Sequence, residues 1–220
     1  MSSGYTFIVA DDHPLFRGAL KQALMSMDRD IVILEAGTFS ETKAAVSGHD
    51  DIDLLLLDLT MPGASGLSGL VALRAINSVV PVVVVSARDD TDTIRRALEL
   101  GASGFISKSA SMDEIRKAVT TVLEGGVSAP TKEELGPESD PEILDLIRRL
   151  QSLTPQQARV LNMLADGLLN KQIAYELGVS EATIKAHVSA VLQKLDVDSR
   201  TQAVIQLARI GADALLAPEN

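Results

Sequence analysis

Two four-residue runs, Leu54–Leu57 and Val82–Val85, constrain the fold more than any other feature of the chain. Neither alternates apolar with polar. A strand with one wet face reads apolar and polar by turns, whereas an unbroken apolar strand is covered on both sides, as in a parallel sheet between helix layers. The longer stretches 53–58 and 81–86 that hold these runs read as strands, as do 6–10, 31–35 and 104–107. Between them, residues near 14–26, 40–47, 66–76, 90–100 and 111–124 carry apolar side chains at helical spacing. Strand and helix in strict alternation predict a five-stranded parallel sheet with helices on both faces, so residues 1–125 are expected to form an α/β domain.

Two further regions follow. Residues 126–150 begin within the pair Gly125-Gly126 and hold Pro130, Gly136-Pro137 and Pro141, with Glu133, Glu134, Glu138 and Asp140 among them. Breakers and acids in this density predict a linker. It ends in a short amphipathic helix from Pro141 that carries Ile143, Leu144, Ile147 and Leu150. Residues 151–215 read as helices throughout. Thr154-Pro155 opens the first, with Pro at N1, and Gly167 closes it. Asn170 is expected to cap the second helix and Gly178 to end it; Ser180 caps the third, and the fourth runs from Ser199 to Gly211.

In an open α/β sheet, ligands bind beyond the carboxyl ends of the strands. The strands here end in Asp11-Asp12, Asp58 and Ser86, and Lys108 follows the last of them. Three converging carboxylates repel one another, and a hard, oxygen-rich site of this kind suits Mg²⁺. A carboxylate held beside a cation can also attack phosphorus, while the metal and Lys108 stabilise the transferring group. Each Asp taken singly is as well explained as a loop or helix cap. The whole set at strand ends is not. The chain has no cysteine, which removes disulfide, zinc-thiolate and thiol chemistry. Its first residues hold no secretory signal, and its apolar runs are too short for a membrane span.

Asp11-Asp12, Asp58 with Thr60-Met61-Pro62-Gly63, Ser86-Ala87 and Lys108 resemble, in residues and spacing, the receiver domain of two-component response regulators over residues 5–124. The resemblance implies a flavodoxin-like strand order 2-1-3-4-5, which is the order of the receiver CheY. It also implies roles. Asp58 becomes the phosphoacceptor, and Asp11, Asp12, Asp58 and the Thr60 carbonyl the Mg²⁺ site. Ser86 and Lys108 contact the phosphoryl group. Phe105 occupies the aromatic switch position, although a strand phenylalanine is equally well a core residue. Ser109 stands where the family often has proline. His13-Pro14 reads as the start of a helix rather than as a catalytic group.

The segment Asn170–Leu195 reads helix, Gly-containing turn, helix, the pattern of a helix-turn-helix; a plain helical bundle fits the bare pattern too. The detailed match is stronger. Leu153-Thr154-Pro155, Asn170-Lys171-Gln172-Ile173-Ala174, Leu177-Gly178-Val179-Ser180, Thr183-Ile184-Lys185-Ala186-His187-Val188, Lys194-Leu195 and Ser199-Arg200-Thr201-Gln202-Ala203 resemble the LuxR-type DNA-binding domain over residues 150–211. Gln157 and Arg159 replace the family's usual glutamates, and Leu169 a small polar residue. On this resemblance the candidate DNA contacts are Lys171, Ser180, Thr183, Lys185, Ala186, Ser189, Gln193 and Lys194. Lys185 reaches guanine O6 and N7, Ser189 and Gln193 reach base edges or phosphates, and Lys171, Thr183 and Lys194 hold phosphates. Val204, Leu207 and Ala208 are the candidate dimer surface, with the domain's own core as the alternative place for some of them.

Together the two resemblances imply a NarL/FixJ-type response regulator: cytoplasmic, phosphorylated by a partner histidine kinase, binding promoter DNA, and dimeric when phosphorylated or on DNA. Phosphorylation would control dimerisation, exposure of the C-terminal domain, or both. It is expected to be a regulator rather than an enzyme, even if it dephosphorylates itself. A magnesium phosphohydrolase on the same fold would leave the helix-turn-helix unexplained, and a binding module without phosphorylation would leave the acidic set unexplained. A nicotinamide site lacks its glycine-rich turn. The net charge of −10 argues against a surface coated in basic groups, and residues 151–220 carry only six basic side chains.

Overall fold

A computed structural model describes residues 4–27, 30–64, 66–136 and 140–212. The first domain runs β1 (Tyr5–Ala10), α1 (Pro14–Met25), β2 (Ile31–Ala36), α2 (Phe39–Gly48), β3 (Leu54–Asp58), α3 (Ser68–Ile76), β4 (Val82–Ser86), α4 (Thr91–Glu99), β5 (Gly104–Ser107) and α5 (Met112–Leu123). The strands form one parallel sheet in the order β2-β1-β3-β4-β5, as the alternation and the resemblance imply. All residues of β3 and β4 are buried, which accounts for their unbroken apolar sequence.

Successive side chains of a strand point to opposite faces, so each apolar run feeds two cores. Phe7, Val9, Leu54, Leu56, Val83, Val85 and Ile106 meet Leu20, Leu24, Ile115 and Val119 of α1 and α5. Ile8, Leu55, Leu57, Val82, Val84 and Phe105 meet Phe39, Leu70, Leu73, Ile94 and Ala97 of α2, α3 and α4. Each such Leu, Val or Phe removed from water contributes about 1.5–3 kcal/mol before chain entropy is charged against it.

The stretch expected as a linker is built onto the first domain. Ser128 forms a parallel bridge with Gly104 at the free edge of β5, where the Phe105 N–H donates to the Ser128 carbonyl at 2.8 Å. A Cβ on Gly104 would stand 2.9 Å from that carbonyl, so this close approach requires glycine. A short helix, α6 (Lys132–Leu135), then lies on α4, where the Arg95 guanidinium donates to the Leu135 carbonyl. Pro137 and Glu138 lie outside the described residues. The amphipathic helix α7 (Pro141–Gln151) buries Ile143, Leu146, Ile147 and Leu150; Leu144 is only half-buried, and Leu146 takes its place.

The last region comprises α8 (Pro155–Ala165), α9 (Asn170–Leu177), α10 (Glu181–Leu195) and α11 (Arg200–Ala212). One small core joins Val160, Leu164, Ile173, Ala174 and Ile184. Ala158, Leu161, Val191, Leu195, Ala203, Leu207 and Ile210 instead continue the core that begins under the sheet, because α8 and α11 lie against α3. Two helix boundaries differ from expectation. Asn170 is the first helical residue of α9 and Leu169 the N-cap, whose N–H is satisfied by the Gln172 side chain at 2.7 Å. Gly211 does not end α11, which continues to Ala212. No helix among the described residues is long and apolar enough to cross a membrane.

Candidate functional site

The strand registers bring the acidic set together. Ala10 pairs with Leu57 and Asp58 with Val85, so the Asp11-Asp12 turn and the end of β3 are neighbours. Ser86 pairs with Ser107, and the Lys108 N–H donates to the Ser86 carbonyl at 2.8 Å, which carries the lysine over the same edge. Its ammonium bridges Asp58 Oδ2 at 2.8 Å and Asp11 Oδ2 at 2.7 Å. Burial opposes the charge on Lys108, but its bonds to Asp11 and Asp58 outweigh that and raise its pKa above the ordinary lysine value. The Phe16 ring supports the same ammonium, its centroid 5.0 Å away.

Asp11 and Asp58 are fully buried. Asp11 Oδ1 accepts the His13 N–H at 2.8 Å, and Asp58 Oδ1 accepts the Thr60 N–H at 3.1 Å. The Thr60 hydroxyl also lies 3.0 and 3.1 Å from the two Asp58 oxygens. Ser86 is buried as well, and its Oγ accepts the Arg88 N–H at 3.0 Å, which leaves its own proton to donate.

The electrostatics of this edge favour a cation. Three carboxylates face one ammonium. Asp11 Oδ2 and Asp12 Oδ1 are shielded from solvent without a well-formed hydrogen bond, although Lys108 stands 2.7 Å from the first and His13 Nδ1 2.7 Å from the second. One ligand atom each from Asp11, Asp12, His13 and Asp58 falls within 4.8 Å of the others, a spacing that one divalent ion can bridge. The donor set, mostly carboxylate oxygen, fits Mg²⁺. His13 stands at the N-cap position of α1, as its place before Pro14 predicts, and its ring also turns back onto Asp12. Its place directly after the acidic pair was the available signal.

Phe105 is buried on the sheet face that meets α3 and α4, so in this conformation its ring is a core residue. The Lys108–Ser109 bond is trans.

In the helical region, α10 turns Ile184, Val191 and Leu195 inward and leaves Thr183, Lys185, Ala186, Ser189 and Gln193 exposed. Lys171 on α9 is exposed too. Ser180 is the N-cap of α10, its hydroxyl accepting the Thr183 N–H at 3.1 Å. Lys185 pairs with Glu181 at 3.2 Å. Two expectations need correction. Lys194 does not present a free ammonium to a phosphate; it donates to the Ser152 carbonyl at 2.6 Å and to Gln157 Oε1 at 2.8 Å, tying α10 to the start of α8. Gln157, which replaces a family glutamate, thereby serves both this bond and the capping box with Thr154. On α11, Leu207 is 2 % exposed and Val204 packs on the domain's own core, so of the three expected dimer residues only Ala208 is open. The exposed stripe is one residue away, at Thr201, Ile205 and Ala208. Helical spacing alone does not say which of two adjacent rows a neighbouring helix covers.

Comparison with known proteins agrees with both halves of this geometry. Residues 7–120 match the response regulator receiver domain, and residues 151–207 match the luxR family of bacterial regulatory proteins. The chain is 39 % identical over 218 residues to the glycerol metabolism activator of Pseudomonas putida, covering 96 % of this chain and 99 % of that protein. It is 33 % identical to the nitrate/nitrite response regulator protein NarL of Escherichia coli over 202 residues, covering 91 % and 93 %. RcsB of Salmonella enterica serovar Typhimurium, solved on promoter DNA with a phosphomimetic, shares the fold at a TM-score of 0.56 and 21 % identity, over 94 % of this chain and 100 % of that one. With both domains matched and the likeness running along nearly the whole length of these relatives, the chain belongs to the two-component response regulators that join a receiver domain to a LuxR-type DNA-binding domain.

Proposed function

We propose that Asp58 receives a phosphoryl group from a partner histidine kinase, and that this controls binding of the C-terminal domain to promoter DNA. The observation that carries the reading is Lys108 bridging Asp58 and Asp11 at the strand ends, with Ser86 on the next strand. In the transfer, an Asp58 carboxylate oxygen bonds to phosphorus as the P–N bond of a phosphohistidine breaks, and the leaving imidazole keeps its electron pair and takes up a proton. Asp11, Asp12, Asp58 and the Thr60 carbonyl would hold Mg²⁺, which when bound offsets the charge of the carboxylates and the phosphoryl oxygens. Lys108 then leaves Asp58 for a phosphoryl oxygen, and the Ser86 hydroxyl donates to another. Movement of Ser86 opens space on the α4 side of the sheet, into which Phe105 can turn.

The readout is a population shift. The reading face of α10 is exposed, which argues against a recognition helix masked by the receiver domain and for control through dimerisation. One side of α11 lies against α3, and two copies would meet through the exposed stripe Thr201, Ile205 and Ala208. Lys171 and Thr183 would hold phosphates beside the N-capping Ser180, while Lys185, Ala186, Ser189 and Gln193 face base edges. The site of action is the cytoplasm, where kinase and promoter are both at hand. Incubation with acetyl phosphate and Mg²⁺ should add one hydroxylamine-labile phosphate to the intact mass, and Asp58→Asn should remove that gain. A variant that is phosphorylated as fast as wild type overturns the assignment.

A further inference from the structure

The outward face of α10 has a composition that restricts which bases it can read. At 100° per residue, Ala182, Ser189, Gln193 and Ala186 fall within about 60° of one another, directly opposite the buried row Ile184, Val191 and Leu195. All four are exposed, and none is charged. Lys185 sits to one side and is drawn back onto Glu181 at 3.2 Å. Lys194, the other cation of the helix, is engaged with Ser152 and Gln157 inside the domain.

Base edges in the major groove call for specific partners. Guanine O6 and N7 take a cation, and cytosine N4 takes a carboxylate; the centre of this face offers neither. Adenine N6 and N7 take an amide, and the thymine methyl takes an apolar side chain. Gln193 is an exposed amide, and Ala182 and Ala186 present exposed methyl groups one helical turn apart. We infer that α10 selects half-sites with an A·T-rich centre, Ala182 and Ala186 seating thymine methyls and Gln193 reading an adenine, with Lys185 at the flank left to read a single guanine. This rests on the DNA-binding reading above and names its target.

The experiment is selection from a randomised half-site library by the full-length chain with acetyl phosphate and Mg²⁺, followed by replacement of each enriched thymidine with deoxyuridine, which deletes only the methyl. Enrichment of A·T pairs is expected at the central positions. Two deoxyuridine substitutions should each weaken binding about fourfold, the loss of one buried methyl. Ala186→Gly should abolish the effect at one of these positions and leave it at the other, and the retained effect shows that the variant is folded. A G·C-rich centre, or a selected site that binds equally well with every thymine methyl removed, overturns the inference while leaving DNA binding intact. Selection of no sequence overturns the DNA-binding reading itself.

Discussion

Replacing Lys108 by methionine removes the one ammonium that bridges two fully buried carboxylates, at 2.7 and 2.8 Å. At an effective dielectric constant near 20, each pair is worth about 6 kcal/mol of gross Coulomb attraction. Dehydration of all three groups takes most of that back. The loss on deleting one partner is governed by the charges left behind, typically about 3–5 kcal/mol. Because 16 % of the Lys108 side chain remains exposed, water can reach the vacated space. We therefore expect a loss near the lower end, about 3 kcal/mol, out of a total of about 5–15 kcal/mol for a domain of ordinary stability. The assay is urea unfolding of both proteins at pH 7 in a chelator. Added Mg²⁺ should then stabilise the variant more than wild type, because the carboxylates no longer have a competing cation. Since the folded-state pKa of Lys108 is raised, its contribution is complete below the unfolded lysine value and is lost as pH rises through the higher folded value. The gap between the proteins should stay constant through neutral pH and close only in the alkaline range above about 10.4. A loss below about 1 kcal/mol, or a gap that closes at neutral pH, would refute the account of the buried pair.

Further outcomes follow from particular contacts. Lys194→Ala removes two internal hydrogen bonds and should lower stability by about 1–3 kcal/mol while leaving the salt dependence of DNA binding unchanged, whereas Lys171→Ala should reduce the salt slope by about one at unchanged stability; urea unfolding and salt titrations separate the two. Leu207→Ala should cost about 2–5 kcal/mol of stability as a core truncation. Ile205→Asp, on the exposed row of α11, should leave stability nearly unchanged and halve the stoichiometry on the operator in sedimentation. Gly104→Ala forces a Cβ against the Ser128 carbonyl and should destabilise by about 1–3 kcal/mol, with increased hydrogen exchange at the Phe105 amide that Ser128 now accepts.

The sheet was legible in the sequence because its inner strands are unbroken Leu and Val runs that stop at polar residues, Asp58 and Ser86. The acidic edge was legible for the same reason: strand ends are where chemistry collects, and Asp11, Asp12, Asp58, Ser86 and Lys108 are polar residues directly beyond apolar runs. What escaped was set by contacts between distant segments. That Lys194 turns inward depends on Gln157 and Ser152, which are remote in sequence. That Leu207 is core and Ile205 is open depends on how α11 lies against α3, α7 and α8. Proline and glycine after α5 read as a free linker, yet Ser128 finds a β5 edge that no local pattern announces. Asn170 was a reasonable cap by residue type, but Gln172 already satisfies the Leu169 N–H from inside the helix.

The central claim is that a phosphoryl group on Asp58 changes how the C-terminal domain meets DNA. Its most direct test is the affinity of the full-length chain for its selected operator, by fluorescence anisotropy at one salt concentration, for wild type and Asp58→Asn, each with and without acetyl phosphate. A coupling of ordinary size raises wild-type affinity by about 5–150-fold on phosphorylation and leaves Asp58→Asn where it started. Equal wild-type affinities in the two conditions, or an equal response from Asp58→Asn, would contradict the account.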